Sequence, residues 1–240
     1  MVSKNEVKYI QSLYQKKNRM EAGLFVVEGP KLVEELLQSG FEVKTVYATA
    51  DWCKAHPKVV TIEVTADDLA KLSHHQTPNQ VLAVAVQQVQ NGLPTLKDNV
   101  TLVLDGIQDP GNLGTIIRIA DWFGIRQIVA TDDTVELYNP KVIQSTMGSF
   151  LRVKVWYSDV AKLLSESTVP VYGALLNGTN VFQHPAVKEG LLVIGNESKG
   201  IRENIMPRIT HAITIPRIGE AESLNAAVAT GILLSHMIPQ

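Results

Sequence analysis

Polar side chains that could act on a phosphate-bearing ligand gather in three glycine-containing stretches. The first reads VLDGIQDPGNLGTIIRIADWFGI from Val103 to Ile125: an apolar run, a turn with Gly106, Gly111 and Gly114, then a helical pattern with Arg118 among isoleucines. A dinucleotide turn needs glycines at G-x-G-x-x-G spacing, so that the backbone can approach a pyrophosphate. Here the gaps are five and three residues, and Pro110 interrupts the turn. A phosphate loop of the G-x-x-x-x-G-K-[ST] kind would share the outer spacing of Gly106 and Gly111, but Asn112 stands where the lysine must be. Both spacings argue against nicotinamide and nucleoside-triphosphate chemistry. What remains is a helix start whose unpaired amides favour an anion, with Asn112 as the expected N-cap. Arg118 follows two turns in, either paired with Asp121 or held as a guanidinium at the mouth of the loop.

The second stretch, LLVIGNESKGI, opens a buried strand into Gly195, Asn196, Glu197, Ser198, Lys199 and Gly200. The third, AITIPRIGEAESLNAAVATGILL, is a strand, a loop and then Ser223, Leu224 and Asn225 leading a small-residue helix expected from about Ser223 to Met237. Taken singly, Glu197 is a turn carboxylate and Ser223 an N-cap. Ligands of open parallel sheets bind beyond the carboxyl ends of the strands, so three such loops together build one site. His74 and His75 are adjacent rather than at ligand spacing, and no metal site is expected.

Two alternations of strand and helix must carry these loops. GLFVVEG, EVKTVYAT, KVVTIEV and VLAVAV read as strands of a small α/β domain. PKLVEELLQSG is a helix with Pro30 in its first turn and Gly40 at its stop, and TADDLAKLS is a helix with Thr65 and Asp68 at capping spacing. The turn-rich QNGLPTLKDN then separates a domain over 1–92 from one over 100–240, with 93–99 as linker. In the second domain VTLVLD, RQIVAT, LRVKVW, VPVYGAL, LLVIG and HAITIP are short buried strands with helices between most of them. That pattern predicts an α/β fold with a mostly parallel sheet covered on both faces.

The 240 residues, 45 % hydrophobic and 19 % charged, suffice for a substantial core. The single cysteine, Cys53, predicts a reducing, cytoplasmic setting, and the polar start and lack of a long apolar run predict a soluble chain with no membrane span. A net charge of −2 argues against generic nucleic-acid binding. Its distribution does not: residues 1–19 hold Lys4, Lys8, Lys16, Lys17 and Arg19 against Glu6 alone. This basic arm is either a phosphate-binding surface or the solvated face of a helix whose apolar side is Val7, Ile10, Leu13 and Tyr14.

In order and spacing, NLGTIIRIADWFG, VIGNESKG and ITIPRIGEAESLNAAVATGI resemble the three motifs of the SpoU family of RNA 2′-O-ribose methyltransferases. Residues 1–90, with KKNRMEAGLFVVEG, resemble the substrate-binding domain of members acting on ribosomal RNA, itself related to small α/β RNA-binding ribosomal proteins. The resemblance implies a C-terminal deep trefoil knot, which general topology rules would not suggest. It also implies S-adenosylmethionine bound in a bent pose without metal, and a homodimer with active sites near the interface. Gly195, Ile215 and Leu224 would line the cofactor pocket. Arg118, Glu197, Ser223 and Asn225 would surround the reacting ribose, with Arg118 serving its own site or the partner's. Asn112 would stabilise the first motif on the substrate side, and Lys16, Lys17 and Arg19 would bind RNA. The family's third motif often reads Ser-Ser-Leu-Asn-Val-Ser-Val-Ala, whereas this chain has Ala227 at the last serine, so no role is assigned there. TPNQVLAV replaces a common Gln-Gly before the last strand of the first domain.

The implied reaction moves a methyl group from a sulfonium to a ribose 2′-hydroxyl, most simply of large-subunit ribosomal RNA. A guanidinium has a pKa above about 12, so Arg118 suits a phosphate clamp better than a general base. Rival readings are a transfer-RNA 2′-O-methyltransferase, a base methyltransferase of related fold, and an RNA-binding protein with a degenerate knot.

Overall fold

The computed structural model describes residues 2–75 and 79–239, so Thr77 and Pro78 of TPNQ lie outside the described residues. The chain divides into two compact units, one of residues 1–88 with 138–151 and one of residues 89–137 with 152–240.

In the first unit the basic arm forms two helices rather than one. Helix α1 (Lys4–Ser12) starts at a capping box in which the Ser3 side chain accepts from the Glu6 amide and Glu6 accepts from the Ser3 amide. Helix α2 (Lys16–Ala22) ends at Gly23, whose φ of 63° is the left-handed stop that a side chain would resist. Then follow β1 (Leu24–Glu28), α3 (Pro30–Leu37), β2 (Val43–Ala48), α4 (Ala50–Ala55), β3 (Ile62–Glu63), α5 (Ala66–Leu72) and β4 (Val81–Val86). The sheet order is β1-β4-β2-β3, antiparallel except between β2 and β3. The KVVTIEV strand shrinks to Ile62–Glu63, both exposed, and of the run only Val64, directly after them, is buried. Thr65 caps α5 as its spacing predicts, whereas α3 stops at Leu37, short of Gly40.

Residues 138–151, including a helix over Pro140–Thr146, pack into this first unit. Phe150 meets Phe25 and Phe41 edge-on at 5.9 and 5.8 Å, and Tyr138 lies 4.5 Å from Phe25. The Tyr138 hydroxyl closes the contact by donating to the Gln88 carbonyl at 3.0 Å and accepting from its amide at 2.8 Å. Burial raises the pKa of that hydroxyl to about 12, so it remains a donor at any ordinary pH.

The second unit contains β5 (Val100–Leu104), α6 (Pro110–Trp122) and β6 (Gln127–Ala130); the Pro140–Thr146 helix of the first unit is α7 in chain order. After it come β7 (Lys154–Tyr157), α8 (Val160–Ser165), β8 (Val171–Asn180), β9 (Gly190–Ile194), β10 (His211–Thr214) and α9 (Ala226–Met237). The six strands stand in the order β10-β8-β9-β5-β6-β7, and every pairing is parallel. β9 is buried throughout, as a strand covered on both faces must be. Strand order reverses between β9 and β5, so their following loops diverge and leave a crevice. Between β8 and β10 the register jumps at Ala212/Ile213, and residues 174–178 swing out of the ladder.

The aromatic cluster makes residues 138–151 part of the first unit's core. Phe150→Ala should cost about 3–5 kcal/mol there. Hydrogen exchange should show lost protection in β1 and β4 with β5 and β9 unchanged; loss confined to β5 and β9 would refute this packing.

Candidate active site at the strand ends

The turn after β5 is built by side chains from three loops. Gly106 has φ of +73°, donates its amide to Thr131 Oγ1 at 2.9 Å, and leaves no room for a Cβ, which would lie 2.9 Å from Arg202 Nη2. Asp109, not Asn112, caps α6: Pro110 takes the first helical position, and the Asp109 side chain accepts from the Asn112 amide at 2.8 Å. That correction frees the Asn112 side chain, which donates to Glu197 Oε1 at 2.6 Å and accepts from Asn225 Nδ2 at 2.8 Å. One amide therefore joins all three loops.

Asn225 is the N-cap of α9, which begins at Ala226 rather than Ser223; its Oδ1 accepts from the Ala227 and Val228 amides at 3.0 and 3.2 Å. Its side chain is thus fixed from both ends. In the second loop Gly195 approaches the Gly200 carbonyl carbon so closely that a Cβ would stand 2.3 Å from it. Asn196 knits this loop, accepting from the Ser198 and Lys199 amides and donating to the Gly106 carbonyl at 2.7 Å.

A second fastening, silent in the sequence, lies beneath. Asp105 is fully buried; its Oδ2 accepts from the Arg202 amide at 2.8 Å, and its Oδ1 lies 2.8 Å from Arg202 Nε without hydrogen-bond alignment. Arg202 Nη2 also donates to both oxygens of Asp133 at 2.6 and 2.8 Å. Burial raises the Asp105 pKa against the pull of Arg202. The hydrogen bond from Thr131 and those from Arg202 lower that of Asp133. Nothing in the spacing of Asp105 and Arg202, almost a hundred residues apart, marks them as a pair.

The crevice beside these loops is a cavity of 870 Å³. Gly195, Glu197, Ile215, Ser223 and Leu224 all line it, with Leu176 of the swung-out β8 segment. A volume of this size suits a nucleoside-sized ligand, and its walls combine apolar side chains with a polar loop. Asn112 and Asn225 stand behind Glu197 rather than in the wall. Arg118 does not line the cavity. It is exposed on α6 and does not pair with Asp121, which instead takes Arg126 at 3.3 Å and Arg152 at 2.8 Å. In the first unit Lys16 and Lys17 are exposed, but Arg19 is buried at 1 % and donates to the Leu13 carbonyl at 2.9 Å. It helps hold α1 and α2 together and does not share their surface.

Residues 99–235 match the SpoU rRNA Methylase family, and residues 4–83 match the MRM3-like substrate binding domain. A curated relative from Bacillus subtilis, 23S rRNA (guanosine(2553)-2′-O)-methyltransferase RlmP, is 33 % identical, the match covering 98 % of this chain and 97 % of that protein. Among solved structures, a putative RNA methyltransferase of the TrmH family from Porphyromonas gingivalis superposes with a TM-score of 0.91 at 36 % identity, covering 99 % of this chain and 98 % of that one. An AdoMet-bound rRNA methyltransferase from Sinorhizobium meliloti gives a TM-score of 0.87 at 28 % identity, covering 99 % and 96 %.

The Arg202 cluster makes a sharp energetic prediction. Arg202→Met strands a fully buried carboxylate and should destabilise by about 3–5 kcal/mol. Asp133→Asn, at a half-exposed position, should cost under about 1 kcal/mol. Denaturant unfolding reads both, and equal losses would mean that Asp105 does not depend on Arg202.

Proposed function

The chain belongs to the SpoU rRNA methylase family, and on that premise we propose that it methylates a ribose 2′-hydroxyl of large-subunit ribosomal RNA with S-adenosylmethionine. The observation that carries this reading is the 870 Å³ cavity into which Gly195, Glu197, Ile215, Ser223 and Leu224 converge. Its lining fits the cofactor: Ile215, Leu224 and Leu176 offer apolar contact to a nucleoside base, and the turn at Gly195 offers backbone polar groups to its charged tail. When bound, the cofactor supplies a methyl group already activated on a sulfonium.

The chain's own residues then have to position an RNA ribose. Ser223, exposed at the rim, offers a hydroxyl to the sugar. Glu197 is held by Asn112 and keeps a second carboxylate oxygen to orient the incoming nucleotide or Arg118. The Arg118 guanidinium grips the phosphate beside the reacting hydroxyl with charge-assisted bonds. With the ribose so held, the 2′-hydroxyl would be aligned to give up its proton to solvent on methyl transfer, with S-adenosylhomocysteine as the leaving group. Positioning of this kind supplies much of the rate in such a transfer.

Homodimerisation and the C-terminal knot belong to the same reading. Thr115, Arg118 and Trp122 share one exposed side of α6, and Trp122 is 85 % exposed, with Val228 of neighbouring α9 at 51 %. A bare tryptophan beside a guanidinium that has no partner among the described residues supports a second copy of the chain covering this face. Arg118 would then reach the partner's site. Residues 1–92 would present the RNA to the domain over 100–240, in the cytoplasm.

Unmodified 23S ribosomal RNA incubated with labelled cofactor should gain one 2′-O-methyl group; label on a base, or only on transfer RNA, would overturn the reading. Arg118→Ala should lower methyl transfer about 10²–10³-fold while leaving cofactor affinity unchanged. Arg118→Lys should rescue poorly because it loses the planar fork. Mixed Arg118→Ala and Ser223→Ala subunits should regain activity if the arginine crosses the interface; no recovery would place it in its own subunit's site.

Lys16→Gln with Lys17→Gln should weaken RNA binding and flatten its salt slope by up to about two counterions. An unchanged slope, read from titrations at several salt concentrations, would make α2 a solvated face only.

A further inference from the structure

The first unit contains a polar cluster for which methyl transfer has no use. Glu28, the last residue of β1, is 7 % exposed, yet its carboxylate gathers donors from two distant segments. The Tyr14 hydroxyl donates to Oε1 at 2.6 Å, the Ser73 hydroxyl donates to Oε2, and the His74 amide reaches Oε1 at 3.4 Å. His75 Nε2 lies 3.9 Å away. A buried carboxylate so supplied fixes the chain that supplies it. Gln11 of α1 adds a second fastening, with Nε2 within hydrogen-bond distance of the Lys71, Leu72 and Ser73 carbonyls at 2.8, 3.3 and 3.2 Å.

These bonds lay the His74 imidazole flat on the Tyr14 ring, with centroids 4.3 Å apart and planes 20° from parallel. Tyr14 is half-buried and its hydroxyl is spoken for, whereas His74 is exposed. One face of the imidazole is therefore backed and the ring is already oriented, while the residue as a whole stays exposed. The α1–α2 segment pinned beside it carries the exposed Lys8, Lys16 and Lys17. A flat ring fixed in advance on Tyr14, a residue of the segment that carries these cations, is what an unpaired nucleobase and its flanking phosphates require.

We infer that His74, backed by Tyr14 and set by Glu28, is a stacking site for an unpaired base of the RNA substrate. Lys16 and Lys17 take the neighbouring phosphates. The inference rests on the proposal that the chain acts on ribosomal RNA and adds where a single-stranded stretch is held. Every base has a stacking face, so the site fixes the docking of the RNA rather than the identity of the methylated nucleotide.

The test uses the full chain and a single-stranded oligoadenylate of about ten nucleotides with 2-aminopurine at its centre, a length within the usual range of such sites. Stacking should quench the fluorophore on the wild-type protein. His74→Ala should abolish the quench and weaken binding at least about fivefold, with melting temperature and cofactor affinity unchanged. His74→Phe keeps a flat ring on Tyr14 and should restore both quench and affinity. Steady-state methylation of 23S ribosomal RNA should show KM raised in His74→Ala with kcat little changed. Wild-type binding and quench in His74→Ala, or failure of His74→Phe to restore them, overturns the inference. If the wild-type enzyme methylates no ribosomal RNA while the oligoadenylate results hold, the functional reading fails and the stacking site stands. If methylation proceeds and the His74 variants leave KM untouched, the site fails as an element of substrate docking.

Discussion

A single primary amide holds the three functional loops in register. Asn112 gives its N–H to Glu197 and its carbonyl oxygen to Asn225, so the first turn of α6, the loop after β9 and the start of α9 share one hydrogen-bond chain. The geometry has little freedom, because each neighbour is fixed elsewhere. Asn225 is bound by the two amides that it caps, and Glu197 follows Asn196, which is tied to the Gly106 carbonyl. Removing one partner leaves polar groups without their bonds, and that asymmetry is what gives a modest hydrogen bond its leverage.

The sheet makes this meeting possible. β9 and β5 are neighbours whose chains depart in opposite directions, so their carboxyl ends bring Gly195 and Gly106 side by side. Asp105 and Arg202 then lock the two strand ends from below, while the Asn112 chain locks them from above. The cavity opens away from both fastenings, toward β8 and β10, whose register jump supplies Leu176 to its wall. Rigidity on one side and open space on the other suit a site that must hold a flexible cofactor in one pose.

The strands were legible because buried parallel strands are short, unbroken apolar runs, and all six in the second unit fall where VTLVLD, RQIVAT, LRVKVW, VPVYGAL, LLVIG and HAITIP stand. The cavity residues Gly195, Ile215 and Leu224 were legible only through the resemblance of whole motifs to those of the family. Local rules failed where two residues competed for one role. Asp109 and Asn112 are both good caps, and Pro110 decides between them by taking the first helical position. Arg19 reads as surface charge beside Lys16 and Lys17, yet burial follows from its facing Leu13 across the break between α1 and α2. Residues 138–151 pack with Phe25 and Phe41, a long-range aromatic contact that no local pattern encodes. Asp105 and Arg202 escape for the same reason, since only the adjacency of β5 and β9 brings them together.

Asn112 transmits order between loops through Glu197, and a double-mutant cycle measures that coupling. Asn112→Ala, Glu197→Ala and the double variant would be titrated with S-adenosylhomocysteine by calorimetry. Side chains acting through one hydrogen bond should be coupled by about 0.5–3 kcal/mol, so the double variant should bind hardly worse than the weaker single variant. Losses that simply add, with no coupling beyond error, would show that Asn112 and Glu197 act independently and that the amide does not organise the site.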